Sequence, residues 1–197
     1  MPKIVNHSLR REQLAEAAWR VIHRQGIEGV TVRCVAEEAG VSLGSLRHHF
    51  TTQSELLAYS MRLVSERIHQ RLGQLPSTGD PRADFERMLG ELVPLDDDTR
   101  SECEIWLGFI QKASTSPELR PLSMEVHEQL YSAIRRCLRL IAEAGDAGAK
   151  MDIELEALRA HALIDGLVVH GILYPSYMNN ERIARIISAH VNSLCGL

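Results

Sequence analysis

The chain has 197 residues, 45% apolar and only 5% aromatic, enough for one large or two small domains with packed cores. No stretch approaches the ~20 apolar residues that span a bilayer, and residues 1–9 hold no apolar run before a small-residue cleavage site. No membrane partner or secretion signal is therefore expected, and the expected compartment is the cytoplasm. The net charge of −4 hides an asymmetry: residues 1–75 hold ten Lys/Arg against seven Asp/Glu, and residues 76–197 hold twelve against nineteen.

Helical periodicity runs through nearly the whole sequence, with no convincing strand alternation. Leu14, Ala17, Ala18, Val21 and Ile22 form one apolar stripe, and Gly26 ends that helix. Thr31 is placed to cap a short helix running to Ala39, and Ser42 to cap the next, running to Phe50. Thr52 with Glu55 reads as a capping box that opens a long helix from Gln53 to about Gln74. Residues 75–81, Leu-Pro-Ser-Thr-Gly-Asp-Pro, make the clearest break and mark the expected domain boundary. Helices are then predicted at about 82–93, 99–115, 118–144, 152–174 and 180–195. Pro94 with Asp96-Asp97-Asp98, Ser116-Pro117, the segment 145–148 and Pro175 separate them. The predicted fold is all-α: an N-terminal three-helix domain at residues 8–68 and a larger C-terminal helical bundle at 76–197.

Residues 31–50 have the anatomy of a helix-turn-helix. Ala36 is small where two helices must cross, and Gly40 can take the left-handed conformation of the tight turn. Val32, Val35, Val41 and Leu46 supply the apolar filling. Projected at about 100° per residue, the second helix puts Leu46 and Phe50 on one face, with Leu43 and His49 at its edges. Gly44, Ser45, Arg47 and His48 fall on the other side. That side is small or hydrogen-bonding, as a helix entering a major groove must be. Gly44 costs roughly 1 kcal/mol of helix stability against Ala, which close backbone approach to DNA would explain. Arg47 suits guanine or phosphate and His48 suits phosphate. The free amides after Thr31 and Ser42, with Arg33 beside the first, are further phosphate candidates. The bland alternative is an ordinary two-helix corner in an all-α core.

Residues 8–68 resemble the DNA-binding domain of the TetR/AcrR family of bacterial regulators. The resemblance rests on Ala17-Ala18-Trp19-Arg20-Val21-Ile22, Gly26-Ile27-Glu28-Gly29-Val30-Thr31-Val32 and Ala36-Glu37-Glu38-Ala39-Gly40-Val41-Ser42. Gly44-Ser45-Leu46-Arg47-His48-His49-Phe50 and Glu55-Leu56-Leu57 complete it in the family's order and spacing. It implies that Thr31, Val32 and Ser42 meet phosphates, that Leu43, Ser45 and Arg47 reach bases or sugar-phosphate, and that His48 contacts phosphate. Two positions depart from the family pattern. Arg47 stands where Tyr is common, and Gln53 stands where Lys is common, which removes one phosphate charge.

The rear domain resembles the BetI-like C-terminal subgroup through Trp106-Leu107-Gly108-Phe109, Ser116-Pro117-Glu118-Leu119 and Ala162-Leu163-Ile164-Asp165-Gly166-Leu167. The resemblance implies dimerisation and effector binding there, without carrying over any one ligand. Ile183, Ile186, Ile187, His190, Val191 and Leu194 form a stripe on the last helix. With Leu158, Ala162, Asp165, Gly166 and Val169 on the helix before it, this stripe is a candidate half of a four-helix dimer interface. Packing on its own domain is the alternative. Pocket candidates are Met88, Cys103, Trp106, Phe109, Met124, His127, Tyr131, His170 and Tyr174. His161 and Asp165 share a face at i, i+4, but His170 points elsewhere, so no metal site is expected. The cysteines Cys34, Cys103, Cys137 and Cys195 form no Cys-x-x-Cys pair and read as reduced packing residues. No cofactor is expected.

The expected function is a DNA-binding transcription regulator, a repressor released from a palindromic operator by a small-molecule effector. Its expected partners are double-stranded DNA, a second copy of itself and that effector. An activator or nucleoid-type regulator of the same fold is the alternative. An all-helical enzyme lacks any nucleophile elbow, phosphate loop or metal spacing. A protein-binding adaptor would show no salt-sensitive DNA binding.

Overall fold

The computed structural model describes residues 2–144 and 151–194. Cys195 and the segment 145–148 lie outside the described residues. Among the described residues the regular structure is helical throughout: α1 (Pro2–Gln25), α2 (Val32–Glu38), α3 (Leu43–His49), α4 (Gln53–Gln74), α5 (Pro81–Gly90), α6 (Asp97–Thr115), α7 (Arg120–Ala144), α8 (Ile153–Leu173) and α9 (Asn180–Ser193). A single 3-10 turn, Ile27–Gly29, joins α1 to α2. None of these helices is long and apolar enough to cross a membrane.

Packing divides the chain into two compact units, and the line differs from a cut at residue 76. The first unit runs to Arg67 and takes in Glu104–Met124; the second holds Ile68–Cys103 and the chain from Glu125 onward. The reason is helix length. The helices α4, α6 and α7 each have one part in either unit, which a break-seeking reading of Pro and Gly cannot register.

In the first unit α1 is the central strut. Leu14, Ala15, Ala17, Ala18 and Val21 are all essentially fully buried, and the three alanines let neighbouring helices approach closely. Val35, Ala36, Leu46, Phe50, Leu56 and Leu57 complete this core. Arg20 and Arg24 clasp Glu38 at 2.8 and 2.7 Å, tying α1 to α2 and holding the Glu38 carboxyl below its ordinary range. Arg67 of α4 reaches Glu16 at 2.6 Å and lies 4.5 Å over the Trp19 ring. The second half of α6 joins this unit through Gly108, where an added Cβ would come within 3.1 Å of Ile27 Cβ.

The second unit packs α5 against α9 and α8 against α9. Phe85, Leu89, Ile134, Leu138, Ile164 and Ile183 are its largest fully buried side chains. Arg71 is its polar node: it donates twice to the Glu102 carboxylate, at 2.7 and 2.9 Å, and once to Glu91 Oε2 at 2.7 Å. The Thr99 amide donates to Asp96 Oδ1 at 2.7 Å, and the Asp96 amide to Thr99 Oγ1 at 3.1 Å. This reciprocal cap starts α6 two residues earlier than the periodicity places it. Likewise α5 stops at Gly90, short of the predicted residue 93.

The α9 stripe is mostly enclosed by its own chain. Ile183, Ile187 and Val191 are at most 2% exposed and Leu194 is 8% exposed within the single chain. They fill the core of their own unit and leave only Ile186 and His190 half-buried. A partner cannot contact side chains already enclosed by their own chain.

Candidate nucleic-acid interface

The corner between α2 and α3 is built by local chemistry. Thr31 Oγ1 accepts from the Cys34 amide and Ser42 Oγ from the Ser45 amide, each at 3.1 Å, so both predicted caps are made. Gly40 has φ +65°, and the amides around it turn back on α2: Gly40 N–H to Glu37 O at 3.1 Å and Val41 N–H to Ala36 O at 2.9 Å. This pair is the Schellman arrangement, which requires a left-handed residue after the helix end. The capping box of α4 is shifted by one residue. Thr52 Oγ1 accepts from the Glu55 amide at 3.1 Å, while Glu55 Oε2 accepts from the Thr51 amide rather than from that of Thr52, at 2.9 Å.

These devices fix the face of α3. Leu46 and Phe50 are fully buried. Gly44, Arg47 and His48 are exposed, and Leu43 and Ser45 are half-buried. On the α2 side Thr31 and Arg33 are exposed and Val32 is half-buried. Gly44 is not required by the protein's own packing, because a Cβ built on it would meet nothing nearer than Ser42 Oγ at 4.0 Å. Gln53 is already engaged: its side-chain amide donates to the Val30 carbonyl, pinning the start of α4 to the segment before α2.

The start of α1 adds residues that the sequence reading overlooked. His7 lies with its ring centroid 4.5 Å from that of His49 and 6.2 Å from that of His48. The signal was available: His7, Arg11, Leu14 and Ala18 follow the 4-3-4 spacing of one helix face. Arg11 stacks over Phe50 and Tyr59 at 4.5 and 4.6 Å and reaches Glu55 at 3.4 Å.

The pocket candidates fall into several separate settings. In the first unit Trp106 is half-buried and stacked on buried Phe109, with centroids 6.2 Å apart, and Met124 is 57% exposed. In the second unit Met88 lies 3.5 Å from Cys137 Sγ, and the Cys103 thiol points to the Leu92 carbonyl at 3.7 Å. His170 and Tyr174 are exposed near the end of α8. His170 and Tyr174 meet edge to face with centroids 6.0 Å apart, and His127 and Tyr131 gather around a separate centre, His161. Its ring is stacked 4.4 Å from His127 and 6.5 Å from Tyr131, and its Nδ1 has no hydrogen-bond partner. Burial pushes His161 below the ordinary histidine range, and partial desolvation raises its surface-edge neighbour Asp165, 3.9 Å away, above the ordinary carboxylate range. Among the described residues no group of three or more His, Cys, Asp or Glu is placed to hold a metal ion.

On α8, Leu158, Ala162, Asp165 and Gly166 are exposed and Val169 is half-buried. Leu155 and Leu173 extend the same helix's exposed apolar surface at 52% and 60% exposure.

Comparison with known proteins agrees with this arrangement. The family model for bacterial regulatory proteins of the tetR family matches residues 14–59, and the C-terminal model for BetI-type transcriptional repressors matches residues 81–196. The HTH-type transcriptional regulator PksA of Bacillus subtilis (strain 168) is 40% identical over 197 residues, covering 99% of this chain and 94% of that protein. A transcriptional regulator of Rhodococcus sp. Rha1 has a crystal structure that superposes with a TM-score of 0.84 at 27% identity, covering 93% of this chain and 95% of that one. A regulator of Saccharomonospora viridis, crystallised with choline, gives a TM-score of 0.79 at 25% identity over 94% of this chain and 96% of that one. The chain belongs to the TetR family of transcriptional regulators and carries a C-terminal region of the BetI type.

Proposed function

We propose that the chain is a homodimeric repressor that works in the cytoplasm, by binding rather than catalysis, and leaves a palindromic operator when a small molecule enters its C-terminal region. The observation that carries this reading is α3: its apolar side is fully buried, while Gly44, Arg47 and His48 are exposed on the other. Arg47 supplies a bidentate donor fork for a guanine edge, Ser45 a short hydroxyl, and His48 with Thr31 and Ser42 contacts to phosphate. Val32, Arg33 and Leu43 border that face. Gly44 lets the helix backbone approach the groove.

Dimerisation uses the exposed face of α8, through Leu158, Ala162, Asp165, Gly166 and Val169, with Ile186 and His190 of α9 at its margin. Two-fold pairing would set the two α3 helices about 34–36 Å apart, one turn of DNA. The effector acts by favouring a pairing in which both half-sites cannot be met at once. The choline held by the Saccharomonospora relative supports a small-molecule effector for this chain, with His127, Tyr131 and His161 as its first candidate contacts.

Selection of bound duplexes from a random pool tests the reading. An inverted repeat with half-sites about one turn apart is expected. Recovery of no sequence preference, or of one unpaired site, would count against it.

A further inference from the structure

His7, His48 and His49 come from two helices 41 residues apart in sequence and gather at one corner of the DNA-binding face. Their ring centroids are 4.5, 5.4 and 6.2 Å apart. The charges that act on His49 are cationic. Arg10 and Arg11 lie on α1 and Arg47 on α3, and the acidic group that α4 offers, Glu55, is held by Arg11 and by the Thr51 amide. Among the described residues no ion pair joins a carboxylate to any of the three imidazoles. Each proton added to the cluster therefore repels the next, with no carboxylate among the described residues paired to it. His49 registers this: burial first, then the charges of His7, His48, Arg10 and Arg11, push it below the ordinary histidine range. Its Nδ1 is also buried without a hydrogen-bond partner.

We infer that His7, His48 and His49 form a proton-linked phosphate contact, so that this chain takes up protons when it binds DNA and holds its operator more tightly in mildly acidic solution. The inference rests on the DNA-binding reading above and deepens it. A duplex brings to this corner the anionic charge that the protein withholds, and an imidazole beside a phosphate keeps its proton more readily. The tightening is fully present below the free-state value and fades as the pH rises through the value in the complex. Because His49 starts below the ordinary histidine range, the tightening sets in as the pH falls toward and past the usual value of about 6.5. His7 would act as a phosphate contact outside the helix-turn-helix.

The test is fluorescence anisotropy of a labelled duplex recovered by random-pool selection, from pH 8 to pH 6 at constant ionic strength. Wild-type affinity is expected to rise about five- to tenfold, as an average uptake of roughly a third to half a proton across these two pH units requires. In His7→Gln and in His49→Gln the rise should shrink to about twofold or less, whatever the affinity at pH 8. Calorimetry of the unsubstituted chain in two buffers of different protonation heat should show net proton uptake near pH 6, a readout that needs no substituted protein to fold. Equal pH slopes in all three proteins, or no net uptake, would overturn the inference while leaving DNA binding intact. Failure to bind any selected duplex at any pH would overturn the DNA-binding reading as well.

Discussion

At the scale of single residues, two glycines separate function from packing. Gly171 is packed into the second unit: a Cβ there would lie 2.6 Å from Pro94 Cγ and 3.2 Å from Ile183 Cδ1. Gly171→Ala should destabilise the fold by about 1–3 kcal/mol through overpacking, read as a fall in thermal midpoint of several degrees. Gly44 has open space around it, so Gly44→Ala should raise helix stability by up to about 1 kcal/mol. The same substitution should weaken operator binding, because the new methyl group stands between α3 and the groove. A variant both more stable and fully competent to bind would remove the functional reason for Gly44. Gln53 shows where residue-level reading from sequence stops. Its departure from the family's common Lys was visible, but its bond to the Val30 carbonyl depends on a neighbour 23 residues away. The histidine cluster was half legible: the helix face that carries His7 is a local pattern, but its meeting with His48 and His49 depends on a second helix.

At the scale of elements, what was legible is what local chemistry decides. Thr31, Ser42 and Gly40 were readable as caps and turn because each acts within a few residues of itself, and the corner they build is present. Gly40→Ala should therefore cost about 1–2 kcal/mol, since an L side chain at φ +65° is strained. Urea unfolding would register the loss as a lower midpoint at an unchanged slope. The role of the α9 stripe was not legible. A 3.6-residue period reports that one face is apolar, but a core and an interface demand the same pattern. Ile183, Ile187 and Val191 belong to the core because α5 and α8 already cover that face. The surface of α8 gave the weaker signal, as Leu158 and Val169 stand there among Ala162, Asp165 and Gly166, yet that is the face left uncovered.

At the scale of the whole molecule, that difference between α8 and α9 can be measured. Leu158→Glu changes a side chain that is 55% exposed and should leave the fold intact while shifting a dimer toward monomer in sedimentation. Ile187→Glu buries a charge in a side chain that is 2% exposed and should unfold the second unit instead. Equal sedimentation of Leu158→Glu and wild type would move the interface elsewhere.

The central claim, that α3 presents Arg47 to DNA, is tested most directly by titrating the selected duplex with wild type and with Arg47→Ala at two salt concentrations. Wild-type binding should weaken steeply as salt rises, and Arg47→Ala should lose about 1–3 kcal/mol, roughly ten- to a hundredfold in affinity. Wild-type binding insensitive to salt, or an Arg47→Ala protein that binds as tightly as wild type, would contradict it.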